Sequence, residues 1–412
     1  MLEAGYAKVD IVPPGELHLI GTYARRPRIP ERIRDRLMAR ALFLRCGDRQ
    51  VVIISADLLC ISEELHLAVV DRLSEPGPES VFLAATHTHT SYGGFFRSNA
   101  AEKMLGAHRP EIFDFLTDRL AGLVEAARAD LGPARAACAS GEVSGLVSSR
   151  RQALGTFDDR MILLRLERAD KQPIDLVSAS GHPVIGSERE PRVVSGDYPG
   201  EFCRRLEREG SCPVFLSAGL GGASILFPEF KMDFERHLDL VCGLLMEGHR
   251  RAADSLRVIG EQSLQAEFFR LPHGRHQSRI FSGLGPGGKL LDAAFWPLRR
   301  WLARSLRSAL PLEKGVPVHL VRLGDFLLAG SAAELGVSVV RGIRAAAARR
   351  GIPAAMAASL VDGYAGYAHL SPVYRLRPEK GYRFMALYEN SLAAFGHDLG
   401  DRIVEAVEKK LN

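Results

Sequence analysis

Short apolar stretches with the two-residue alternation of strands are interspersed along this chain with longer segments whose apolar residues recur at the helical period. Residues 4–12 alternate loosely and read as a strand before Pro13-Pro14. Residues 39–46 and 51–56 read as two strands joined by a turn at Gly47-Asp48, the second ending in Asp57. A helix is predicted over 62–73, with Glu63 and Glu64 in the first turn, where the helix dipole favours acids. The stretch from Val81 to Gly94 follows, VFLAATHTHTSYGG, and completes a β-α-β unit for which a right-handed crossover and a parallel strand pair are expected.

Further along, the pattern predicts a helix over 111–131 and strands over 134–143, 161–167, 174–180 and 214–217. Ser195-Gly196-Asp197-Tyr198-Pro199-Gly200 leads into a helix to about Arg208, a further helix is predicted over 234–255, and strand-like character over 259–272. A hairpin turns at Gly324-Asp325, an alanine- and arginine-rich helix runs to Arg350, and residues 354–360 form a last apolar strand. The C-terminal helix is placed over 391–411. No repeat or low-complexity linker divides the chain, so one α/β domain over residues 1–412 is expected, with a mixed, largely parallel central sheet flanked by helices. Residues 282–289, SGLGPGGK, formally contain Gly-x-Gly-x-x-Gly but lack a surrounding strand-turn-helix unit, and read as a flexible loop. The segment 291–310 interleaves Trp296, Leu298, Trp301, Leu302 and Leu306 with Arg299, Arg300, Arg304 and Arg307. It reads first as a surface helix packed on the body, with peripheral contact to a membrane surface or a lid role for 283–310 as alternatives.

Composition narrows the picture only slightly. With 412 residues, 46% apolar and 25% charged, the chain is an ordinary globular protein with room for a sizeable core. A formal charge of +5 spread over this length gives no footprint for nucleic acid. The six cysteines, Cys46, Cys60, Cys138, Cys203, Cys212 and Cys242, form no Cys-x-x-Cys pair and read as free thiols in a reducing compartment. The N-terminus has no signal-peptide pattern and no apolar run is long enough to span a bilayer, so a cytoplasmic location is expected.

Chemistry-bearing residues collect at the predicted strand ends. In an extended strand Val81, Leu83, Ala85, His87 and His89 share one face, greasy at its start and imidazole at its tip. Asp57, His182, Ser224, Glu334 and Tyr367 also fall at strand ends or in the loops after them, where open α/β sheets place ligands. Two or three histidines with a carboxylate form a set able to hold a catalytic zinc ion with one position left for water. The bare His-x-His pair reads equally well as two hydrogen-bonded histidines at a strand end.

The order and wording of these segments resemble the catalytic domain of neutral (neutral/alkaline, non-lysosomal) ceramidases. AGYAKVDIVPPG with GTYA is similar to that family's opening, and ATHTHTSYGG to its Ala-Thr-His-Thr-His-Ser-Gly signature. SGHPV, SGDYPG, AGLGGAS, LAGSAAE and GYAGY follow in the family's order. The resemblance implies that His87, His182, Glu334 and Tyr367 hold one zinc ion, and that His89 touches the substrate or the developing oxyanion. It also puts Arg150 where the family has a functional arginine, and Ser224 where it has an implicated serine. Two departures stand out. The family's Gly-Asp-Val-Ser turn is here Gly221-Gly222-Ala223-Ser224, without an acid, and Glu334 follows Ser331-Ala332-Ala333 rather than Pro-Gly.

The function expected from this reading is zinc-dependent hydrolysis of a carbon–nitrogen amide bond, in an N-acyl amide or another lipid-like substrate of sphingolipid metabolism. One alternative is an enzyme of the same scaffold acting on a soluble amide or ester in a biosynthetic pathway. The other is a catalytically silent relative that binds lipid through the arginine-rich helix.

Overall fold

Every residue of the strand Val81–Ala85 is buried, because its two faces meet different layers. The computed structural model describes residues 1–21, 28–97, 102–151, 158–226, 232–260, 263–274, 280, 281, 284, 286–295, 297, 305, 308–310, 312 and 314–411. A nine-stranded sheet runs in the order Cys212–Ser217, Lys171–Ala179, Arg160–Arg168, Gly132–Glu142, Leu2–Asp10, Met38–Cys46, Arg49–Ala56, Val81–Ala85, with Arg257–Val258 beside Gly132–Glu142. A second, four-stranded sheet runs Leu264–Leu271, Val316–Leu323, Phe326–Ser331, Ala354–Ala358.

Strand alternation divides the core into layers. Leu42, Ile53 and Phe82 of the large sheet pack with Val321, Leu328 and Met356 of the small one. The opposite face of the large sheet, through Ala41, Ile54 and Leu83, meets Leu65, Val69, Leu116 and Leu120 of the helices Glu63–Arg72 and Pro110–Ala129. Farther along that face Leu163, Val177 and Phe215 lie under Asp197–Arg208 and Phe234–Ala253. Leu327 and Ala329 face outward from the small sheet onto Val337–Arg349 and Leu399–Lys410. The result is helix, sheet, sheet, helix.

The α/β class and the mixed pairing are as the sequence predicts. Two points differ. The centre is two face-to-face sheets rather than one, since continuous apolar strands satisfy burial against either a helix or another sheet. Parallel pairing is also less general than predicted. Within the large sheet it joins Arg49–Ala56 to Val81–Ala85 and Lys171–Ala179 to Cys212–Ser217, at the two edges, and in the small sheet Phe326–Ser331 to Ala354–Ala358. Short turns such as Gly47-Asp48 force antiparallel neighbours, because a parallel pair needs a longer crossover.

Other differences are local. The stretch expected as a flexible loop is helical from Pro286 to Ala294, and the predicted C-terminal helix begins only at Leu399, behind a separate helix Arg383–Ser391. Trp296, Trp301 and the arginines of the predicted arginine-rich helix lie outside the described residues. No disulfide joins the six cysteines, all of them among the described residues, and five are buried. No described helix is long and apolar enough to cross a membrane.

The sheet-to-sheet contact sets a stability test. Phe82 is fully buried, and Gly330 lies so close that an added Cβ would come within 2.5 Å of the Phe82 ring. Phe82→Ala is expected to cost about 3–5 kcal/mol in urea unfolding at fixed metal content. Leu67→Ala, at a position 40% exposed, should stay within about 0.5 kcal/mol of the parent.

Candidate functional site

The three parallel pairs end together, and the candidate site is assembled from the chain that leaves their carboxyl ends. The strand Val81–Ala85 stops two residues before His87, which takes a φ of 71°, a left-handed conformation unfavourable for a residue with a Cβ. Hydrogen bonds from the Thr86 N–H to Ala56 O and the His87 N–H to Leu58 O, each 2.9 Å, fix this turn. The two histidines thus do not share a face through strand alternation, as the sequence suggests. The backbone turns between them, and their rings still meet. His182 follows Lys171–Ala179 through Gly181, where φ is 138° and an added Cβ would sit 2.9 Å from Ile225 Cδ1.

The Nε2 atoms of His87, His89 and His182 form a triangle with sides of 3.1, 3.1 and 3.3 Å. Each ring is fixed from behind: Nδ1 of His87 lies 2.6 Å from Leu59 O, Nδ1 of His89 2.6 Å from Gly21 O and Nδ1 of His182 3.4 Å from Leu220 O. A carbonyl oxygen only accepts, so Nδ1 carries the proton and each Nε2 is left with a lone pair. Burial holds His89 and His182 well below the ordinary imidazole value, which keeps them neutral at pH 7. Three lone pairs facing one another at this distance repel unless a cation sits among them. Nitrogens about 2.0–2.1 Å from a tetrahedral zinc lie about 3.3–3.4 Å apart, close to the sides of this triangle. The three donor atoms therefore suit a metal ion.

Glu334 reaches the same place from the end of Phe326–Ser331 and pairs in parallel with Tyr367 across a two-residue ladder. Its Oε1 accepts the Tyr364 hydroxyl at 2.8 Å, while Oε2 points at His87 Nε2 at 3.3 Å and receives no hydrogen bond. Burial pushes this carboxyl up, hydrogen bonds from the Tyr367 and Tyr364 hydroxyls pull it down, and the net direction is below the usual carboxylate value, so it is ionised. A buried, ionised oxygen aimed at an imidazole lone pair is a second orphaned donor that a cation would satisfy. Burial, with Glu334 nearby, pushes the Tyr367 and Tyr364 hydroxyls well up, so both stay protonated.

The other two predicted residues stand together. The Arg150 Nε donates to Ser224 Oγ at 2.8 Å, and Ser224 lies on the short strand Ala223–Ile225 paired with Val147–Ser149. Among the described residues no imidazole or carboxylate is hydrogen-bonded to Ser224. Sequence reasoning missed what lies behind Arg150: Glu389, Arg151 and His369, all buried. Glu389 belongs to the helix Arg383–Ser391, whose buried residues are Ala386, Glu389 and Asn390. An apolar periodicity does not reveal a helix that turns a carboxylate and an amide inward. The spacing of Ala386, Glu389 and Asn390 was the only signal.

Loss of any one imidazole is expected to lower zinc affinity by more than the roughly 10- to 100-fold that loss of an outer hydrogen-bond partner costs. His89→Ala discriminates best. Its zinc content after dialysis should fall as far as that of His87→Ala and His182→Ala, with the thermal transition retained. Stoichiometric zinc in His89→Ala would place His89 outside the metal shell.

Comparison with known proteins identifies the family of the chain. A sequence profile described as neutral/alkaline non-lysosomal ceramidase, N-terminal, matches residues 2–210. A neutral ceramidase of Pseudomonas aeruginosa is 31% identical over 147 residues, 34% of this chain and 22% of the relative. One of Mycobacterium tuberculosis is 27% identical over 231 residues, 50% of this chain and 36% of the relative. The matched segments thus span about a fifth to a third of these relatives' own length. Two solved structures share the fold. A neutral ceramidase from Pseudomonas aeruginosa superposes with a TM-score of 0.74 at 19% identity, covering 99% of this chain and 75% of its own. A structure described as ceramidase complexed with C2 superposes with 0.77 at 20% identity, covering 100% and 74%. Because the profile takes in half of the chain, the protein belongs to the neutral/alkaline non-lysosomal ceramidase family.

Proposed function

We propose that the protein is a zinc-dependent hydrolase of a carbon–nitrogen amide bond, acting on an N-acyl amide of the ceramide class. The observation that carries this reading is the triangle of three imidazole nitrogens beside the orphaned Glu334 oxygen. Family membership supplies the reaction class, and the structural neighbour described as complexed with C2 points to a lipid-like amide.

His87, His89, His182 and Glu334 would hold the ion. Zinc, when bound, lowers the pKa of a coordinated water towards neutrality and polarises a carbonyl. The chain's own residues do the remaining work. The carbonyls of Leu59, Gly21 and Leu220 fix the imidazole tautomers and keep the rings aimed. Glu334 stays ionised and organises the Tyr364 and Tyr367 hydroxyls beside the reacting carbonyl. Tyr367, protonated and buried, turns its single O–H from Glu334 to the oxygen that gains charge as the carbonyl becomes tetrahedral. Arg150 presents a positive charge on the same side, close enough to lower the basicity of His89 and His182. Ser224, lacking a hydrogen-bonded base, is assigned to holding Arg150 and substrate rather than to nucleophilic attack.

The test is a panel of N-acyl amines, from ceramide to short-chain amides, incubated with zinc-loaded protein while free acid is measured. Acid release that a chelator abolishes and zinc restores is expected. Tyr367→Phe should lower kcat by about 10²- to 10³-fold with zinc retained. No acid from any member of the panel would overturn the reading.

A further inference from the structure

The geometry points to Glu389 as a positioning residue: it holds the Arg150 guanidinium against Ser224 and against the glycine-rich turn, so that the charge is delivered at a fixed place. This inference rests on the reading that Arg150 serves the site. Glu389 has no exposed surface, and its two oxygens are fully used. Oε1 accepts from Arg150 Nη1 at 3.0 Å and from the Gly222 backbone N–H at 2.9 Å. Oε2 accepts from Arg151 Nη2 at 2.9 Å and lies 3.2 Å from His369 Nε2. Burial alone would push this carboxyl up; His369, Arg151 and Arg150 outweigh it and leave it ionised at any working pH.

Three features separate this arrangement from an ordinary buried ion pair. First, one oxygen joins the guanidinium and the turn that carries Ser224, so Glu389 sets the distance between them. The turn itself, Gly221-Gly222-Ala223-Ser224, contains no acid, and the carboxylate arrives instead from a helix 167 positions along the chain. Second, the cluster holds two guanidinium charges against one carboxylate, so a positive charge remains, on the side where Arg150 meets Ser224. Third, Arg151 is anchored independently by Ala386 O at 3.1 Å and Asn390 Oδ1 at 2.9 Å, so it ties the cluster to the helix. Arg150 has no such backbone tie among the described hydrogen bonds of its side chain, only Ser224 and Glu389. A guanidinium with four flexible torsions needs such a brace to stay in one rotamer.

The experiment reads the charge at residue 224 directly, without substrate. In a Ser224→Cys background, the pH midpoint of alkylation at that position is followed by site-resolved mass spectrometry, with and without Glu389→Gln. If Glu389 positions Arg150, its removal frees the guanidinium from the thiolate, and the midpoint should rise by about one unit or more. If Glu389 only fills space, Arg150 stays, a negative charge disappears, and the midpoint falls. A fall or no change overturns the assignment. Should Glu389→Gln fail to fold, Glu389→Asp, which retracts the carboxylate by one methylene, is read the same way: a rise supports the assignment and any other result overturns it. Absence of amide hydrolysis by the parent protein would sink the proposed activity alone, because the thiol midpoint is independent of it.

Discussion

Three imidazole lone pairs pointing at one centre, 3.1–3.3 Å apart, form the constraint on which the site depends. Each is directed there by a backbone carbonyl on the far side of its ring, so the protein has committed all three Nδ1 protons to its own scaffold. Without a cation the arrangement is repulsive, and the uncompensated Glu334 oxygen adds to that repulsion. The fold must therefore hold these groups together against their own electrostatics, and the surrounding structure shows how.

The holding is done at the carboxyl ends of the parallel pairs. The rim is tied by short polar links: the Ser217 hydroxyl donates to Thr86 O at 2.8 Å between the two edges of the large sheet, and the Ser359 N–H donates to Ser217 O at 2.8 Å between the two sheets. The Leu360 N–H donates to Ala333 O at 3.1 Å, next to Glu334. These are buried hydrogen bonds, so breaking one strands a polar group and costs about 1–3 kcal/mol. The antiparallel middle of the large sheet is the platform; His87, His89, His182 and Glu334 follow the ends of strands that have a parallel neighbour. The left-handed turn at His87 fits this view, as a backbone conformation with a cost maintained where the ring must be aimed.

Much of this is legible in the amino-acid order. The apolar runs locate the strands, and the polar residues at and beyond their ends single out His87, His89, His182, Ser224 and Glu334. Alternation does not reveal how the two neighbouring histidines meet, because the strand ends before them and a φ of 71° replaces the expected two-residue repeat. Nor does it distinguish one sheet from two: the run Val81–Ala85 looks the same whether its second face meets a helix or another sheet. The Glu389 cluster is hidden for a different reason. Its helix buries polar side chains, so the hydrophobic pattern is blank where the structure is most tightly hydrogen-bonded.

X-ray absorption at the zinc edge of the metal-loaded protein tests the central claim most directly. The account predicts a first shell of nitrogen and oxygen at about 2.0–2.1 Å, with outer-shell scattering from three imidazoles. Cys60 is the nearby competitor. Burial, with the Glu334 charge beside it, pushes its thiol well up, so it stays protonated and should be absent from the shell. A sulfur scatterer at about 2.3 Å, or a shell with fewer than three imidazoles, would contradict the account.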